Sequence, residues 1–199
     1  MPDDALPTSV RRLDGPQSAH LIRLVEAFDD LQTVLLCCDR LVPALAADVG
    51  GNVTVEALWT LALLSYARPF AVDDDGIAAV TAEDLAATQP DGKLPASHQL
   101  LLHLRDHNCA PAKNPREVFT VGLAQDADGA VNAVAVTSVR TPSVDEAAVR
   151  QAGAMAFAMC ELLDERIGAA QQVVFTHGQA MSPGQLAALD QVEVAPVDA

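Results

Sequence analysis

The chain has 199 residues, enough to bury a sizeable core in one domain. Half of them are apolar, but aromatics are few, one Trp, one Tyr and five Phe, so packing falls to small and aliphatic side chains. With 27 acidic residues against 12 basic ones the net charge is -15, which disfavours general nucleic-acid binding because that rests on Lys and Arg contacts to phosphate.

Residues 1–16 are Pro- and Asp-rich and are expected to form a flexible N-terminus; the opening MPDDALPTSVRRLDG lacks the basic-then-apolar order of a signal peptide. Over residues 17–47, Leu21, Leu24, Val25, Phe28, Leu31, Val34, Leu35, Cys38, Leu41 and Leu45 recur every three or four positions, which predicts a helix. Pro43 is expected to kink or end it, and DVGGN to close it. Residues 54–68, TVEALWTLALLSYAR, form a second predicted helix, apolar nearly all round and therefore central, with Pro69 as its stop. The polar stretch that follows carries VDDDG and QPDGK as turns, and TAEDLAAT as a short capped helix from Thr81.

A third core helix is predicted over residues 96–108. The period then changes: EVFTVGLAQ and VNAVAVTSV, separated by DADG, carry the signature of a β-hairpin. Ser143 and Glu146 have the spacing of a capping box ahead of a long helix that runs to at least Ile167. Ser182-Pro183 starts a last short helix reaching about Asp190. The fold class expected is mainly α, an up-down helical bundle of about four long helices with one inserted β-hairpin. Its helical domain would cover residues 17–180 with the hairpin near 117–139, and residues 181–199 would be a short C-terminal helix and tail.

The segment LRDHNCAPAKNPRE, at the end of the third helix, concentrates the chemistry. His98 and Arg105 lie about two turns apart and share a helix face with Leu101 between them, while Leu100 and Leu104 are expected to face the core. A histidine that moves a 2'-hydroxyl proton and an arginine that steadies a negative phosphorane are the parts of a metal-independent ribonuclease. Arg105 and His107 also suit a purely structural role, since cations near a helix C-terminus complement its dipole. Cys109 reads as an inert thiol, and the four cysteines as reduced, because no Cys-x-x-Cys pair is present. Asp73, Asp74 and Asp75 lack the alternating spacing of a calcium loop and read as a turn. Trp59 and Tyr66 read as core. No apolar run approaches the roughly 20 residues of a membrane span, and no metal or cofactor is expected.

The order ALWTLALLSYARPF, a polar insert, then HQLLLHLRDHNCAPAKN resembles the HEPN-type helical domains of bacterial defence and toxin–antitoxin systems. The likeness is to the subset whose third core helix ends in a phrase of the type Leu-Arg-Asp-Lys-His-Ile-Ala-His-Ser-Val-Asn. Leu104, Arg105, Asp106, Ala110 and Asn114 match that phrase in place; Trp59, Tyr66, Arg68 and Phe70 match the end of the preceding helix, and His98 an upstream histidine. The resemblance covers residues 54–114 well and the hairpin and long helix more loosely. It implies a dimer in which the motif pairs across a two-fold axis, and a ribonuclease signature of arginine, polar residue, spacers and histidine. Arg105 and Asp106 fill the first two roles. His107 and Asn108 stand where the phrase has its lysine and first histidine, and the catalytic histidine position falls on Pro111, which has no proton to move.

The resulting expectation is a cytoplasmic, non-catalytic HEPN-like binding or regulatory protein, a homodimer through its helical core, contacting a basic protein partner rather than RNA, DNA or a membrane. One alternative is an endoribonuclease built on Arg105, Asp106, His107 and His98 with a displaced histidine, for which RNA would be the substrate. Another is a bacterial or phage structural or interaction protein with an exposed apolar patch on the hairpin or the final helix.

Overall fold

Helical spacing of apolar residues and one run of β-branched residues dictate most of the elements. The computed structural model describes residues 10–47, 53–88, 94–112, 114–141 and 144–193. In chain order they form β1 (Val10–Arg11), α1 (Pro16–Ala46), α2 (Val53–Ala67), a 3-10 turn (Arg68–Phe70), α3 (Ala82–Thr88) and α4 (Leu94–Asn108). Then come β2 (Glu117–Gln125), β3 (Val131–Arg140), α5 (Glu146–Gln179), α6 (Pro183–Ala187) and β4 (Gln191–Val192). The protein is mainly helical, and the described strands make two antiparallel two-stranded sheets, β1 with β4 and β2 with β3. The DVGGN and QPDGK segments and Ser143 lie outside the described residues.

The chain divides into two units, residues 27–162 and residues 1–26 with 163–199. In the first, Leu31, Val34, Cys37, Cys38 and Leu41 of α1 are buried, as are Val149, Ala152, Met155, Ala156, Met159 and Cys160 of α5. Both sets recur every three or four residues, so each helix presents one apolar stripe. A methyl group on Gly153 of α5 would stand 3.6 Å from the Cys38 Cβ of α1, so the two helices approach closely there. Helix α2 packs on α4 and buries Val55, Trp59, Ala62, Leu63, Ser65, Tyr66 and Ala67. Of its other apolar residues Leu58 is half-buried and Val53, Ala57, Leu61 and Leu64 are exposed, so this all-round apolar helix keeps one side open.

Pro43 does not end α1. The helix continues to Ala46, and the Ala47 N–H donates to the Pro43 carbonyl at 3.2 Å. A proline here forfeits one hydrogen bond a turn earlier without stopping the ladder beyond it. At the start of α5 the cap is Asp145, whose carboxylate accepts from the Ala148 N–H at 2.7 Å. An N-cap of this kind contributes about 1 kcal/mol. Thr81 and Asp84 cap α3 reciprocally: the Asp84 N–H donates to Thr81 Oγ1 at 3.1 Å and the Thr81 N–H to Asp84 Oδ2 at 2.8 Å.

The segments DDDGI and DADGA fold alike. Asp73 accepts on its side chain from the N–H groups of Asp75 and Ile77, and Asp126 does so from those of Asp128 and Ala130. Each turn closes through a glycine with positive φ, 76° at Gly76 and 82° at Gly129. Backbone hydrogen bonds thus draw on these aspartates, as in an Asx-turn.

In the second unit Leu24, Leu163 and Ala170 are buried. Of the N-terminal segment expected to be flexible, residues 1–9 lie outside the described residues; beyond them Val10 and Arg11 pair with Val192 and Gln191, the Arg12 N–H donates to the Asp190 carbonyl at 2.8 Å, and the Arg11 guanidinium donates to the Leu189 carbonyl at 2.9 Å. A two-residue strand is too short to show alternation, so nothing in its own sequence announces this pairing. Ser182 and Gln185 form a reciprocal capping box at the start of α6.

Candidate functional site

Helix α4 sets the candidate residues at different depths. His98 and Leu101 are buried, 5% and 4% exposed, against α2. Leu100, expected in the core, is 54% exposed: two residues turn the helix by about 200°, so the burial of His98 turns Leu100 outwards. Leu104 is half-buried.

His98 sits in a small aromatic cluster. The Tyr66 hydroxyl lies 2.9 Å from His98 Nδ1, and the Phe70 ring centroid is 4.4 Å from the imidazole and 5.4 Å from the Tyr66 ring. Burial lowers the His98 pKa from its ordinary value and raises that of Tyr66, so both neutral forms are favoured. The hydroxyl can donate to an unprotonated Nδ1 or accept from a protonated one, and either arrangement satisfies both buried groups. Pro69 and the 3-10 turn bring Phe70 to the cluster, and the Arg68 guanidinium donates to Asp30 of α1 at 2.8 Å.

Arg105 is 35% exposed through its side chain, and both its Nε and an Nη donate to Asp106 Oδ1, at 2.9 and 2.6 Å. The arginine that would hold a phosphate is therefore paired with the polar residue next to it in the motif. Seven residues of α-helix separate His98 from Arg105 by about 10 Å along the axis, and the imidazole is withdrawn to the core while the guanidinium stays near the surface. His107 is half-buried and His103 exposed. Asn108 donates to the Leu104 carbonyl at 2.8 Å, the Cys109 N–H to the Arg105 carbonyl at 2.8 Å, and Pro111 lies exposed in the turn that follows. Burial pushes the Cys109 thiol up, Arg105 pulls it part of the way back, and Asp106 adds to the rise, which leaves a poor nucleophile. All four cysteines are free, and burial with the neighbouring Cys37 pushes Cys38 up to about 11.

Two features escaped the sequence. The Tyr66–His98 bond joins residues on different helices, and only the packing of α2 on α4 reveals it. Ser65 Oγ is buried with no hydrogen-bond partner among the described residues, and a serine in a helical run gives no warning of that. Among the described residues no group of three His, Cys, Asp or Glu side chains stands ready for a metal ion, and no helix is long and apolar enough to cross a membrane. Comparison with protein-family models, with curated proteins and with solved structures gave no significant match.

Proposed function

We propose that this chain is a HEPN-like protein that works by binding rather than by catalysis, as a cytoplasmic dimer whose partner is another protein. Its scaffold on this reading is an up-down bundle of α1, α2, α4 and α5 with the β2–β3 hairpin inserted before the last. The observation that carries the reading is the closure of Arg105 on Asp106, with His98 held by Tyr66 and Phe70 and a proline at position 111. An arginine whose Nε and one Nη both donate to a single carboxylate oxygen must give up two charge-assisted bonds to take a phosphate. A buried imidazole bonded through Nδ1 is poorly placed to shuttle a proton there. The net charge of -15 further favours a basic protein surface over free RNA.

The test restores what the motif lacks. Wild type, Pro111→His and Pro111→His with Arg105→Ala are incubated with total bacterial RNA in the absence of metal ions. The reading expects no cleavage from wild type and Arg105-dependent cleavage once position 111 carries an imidazole. A folded Pro111→His protein that stays inert counts against the HEPN-like assignment, and Arg105-dependent cleavage by wild type promotes the ribonuclease reading instead.

A further inference from the structure

The β2–β3 hairpin leaves both of its faces open, and the two faces differ. Register pairs Phe119 with Ser138, Val121 with Val136 and Leu123 with Val134, so these side chains share one face; Val118 with Val139, Thr120 with Thr137, Gly122 with Ala135 and Ala124 with Ala133 lie on the other, whose large apolar residues are confined to the base. Phe119, Val121, Leu123, Val134 and Val136 are 58–70% exposed. A two-stranded sheet on its own is marginal in water, and a stripe of large apolar side chains along one face is what a sheet normally buries.

We propose that this face docks on the same face of a second copy of the chain, with the two hairpins antiparallel about a two-fold axis. Area, charge and polarity select that occupant. The five residues expose roughly 600 Å² per copy, so complete coverage in two copies would bury at most about 1,200 Å², which reaches the lower bound for a specific interface. Residues 118–125 and 131–139 contain no Asp, Glu, Lys or Arg, so in a chain of net charge -15 this is a surface on which two copies meet without repulsion. The turn is acidic, with Asp126 and Asp128, while the base is mixed: Arg116 donates to the Glu56 carboxylate at 2.7 Å and Arg140 stands opposite Glu117. Arg140 is loosely held, 3.9 Å from Glu117, and 75% exposed. An antiparallel two-fold keeps the two acidic turns apart and brings each near the loosely held Arg140 of the other copy, whereas a parallel arrangement would stack turn on turn. The two faces would pack about 10 Å apart, as in a β-sandwich, and an isologous contact of this kind closes at two copies.

This deepens the dimeric part of the proposed function and moves the contact from the helices to the hairpin. Light scattering on the full chain across a concentration series tests it, with helical circular dichroism as the control for folding. Wild type is expected at twice the chain mass. Val121→Glu, which sets like charges against each other near the centre of the face, is expected to weaken dimerisation at least tenfold, and Val121→Thr to do so less; Thr137→Glu, on the opposite face, leaves it intact. Arg140→Glu and Asp128→Lys each weaken it, and the double variant recovers. A dimer that survives Val121→Glu overturns the hairpin contact while the dimeric reading stands. A wild type that stays monomeric overturns both, and sensitivity to Thr137→Glu alone assigns the contact to the wrong face.

Discussion

Replacing Tyr66 with phenylalanine deletes one hydroxyl and leaves His98 Nδ1 with no partner in a site that is 5% exposed. A buried polar atom stripped of its bond costs roughly 1–3 kcal/mol. For a chain of this size about 2 kcal/mol lowers Tm by roughly 4–8 °C. The cost depends on the imidazole being there: with His98→Leu in place, the same Tyr66→Phe change leaves no orphaned ring nitrogen and is expected to cost much less. Chemical denaturation of the four proteins of this cycle measures the coupling. The site also predicts a pH dependence. The folded protein holds His98 neutral, whereas the unfolded chain takes a proton near its ordinary value of about 6.5. Below that value the unfolded state binds more protons, so this stabilisation is complete above about pH 6.5 and declines as the pH falls, until the folded state is protonated as well. His98→Leu removes that part of the slope. Equal losses from Tyr66→Phe with and without His98, or a pH profile indifferent to His98, would refute the reasoning.

Three further outcomes are expected. Ser65→Ala removes a buried hydroxyl that has no partner among the described residues and improves helix propensity, so urea denaturation should show a gain of about 1 kcal/mol; a loss would mean that Ser65 makes a bond. Gly153→Ala meets Cys38 at ordinary contact distance and stiffens α5, so thermal melting should show a gain of about 0.5–1 kcal/mol, and a marked loss would show that the helices stand closer than 3.6 Å implies. Asp145→Ala removes the N-cap of α5 and should cost about 1 kcal/mol, with Asp145→Asn recovering most of it.

Periodicity made the helical elements legible. The apolar stripe of α1, the run that became α2 and the Val-Thr alternation of the hairpin all depend on local pattern, and local pattern is what a single sequence records. The apolar spacing predicts α1 over residues 17–47, and the helix runs from Pro16 to Ala46 with Pro43 inside its last turn, so the proline does not break the pattern there. The pairing of β1 with β4 joins residues from opposite ends of the chain and leaves no local trace. Around the candidate site, the sequence identified Arg105, Asp106 and His98 but not their state. That Arg105 turns to its own neighbour, and that His98 is engaged by Tyr66, are consequences of rotamers and helix packing. The exposed apolar face of the hairpin follows from register, which pairs Val121 with Val136 and Leu123 with Val134 and so sets most of the large side chains, all but Val118 and Val139 near the base and Val131 beside the turn, on one side.

The most direct test of the proposed binding function is the native protein itself. Purified wild type and Arg105→Ala, each shown to be folded, are incubated without metal with end-labelled total bacterial RNA, and cleavage is followed with time. The account predicts indistinguishable, background-level decay for both. Cleavage by wild type that Arg105→Ala abolishes would contradict it, because the guanidinium would then have left Asp106 for a phosphate.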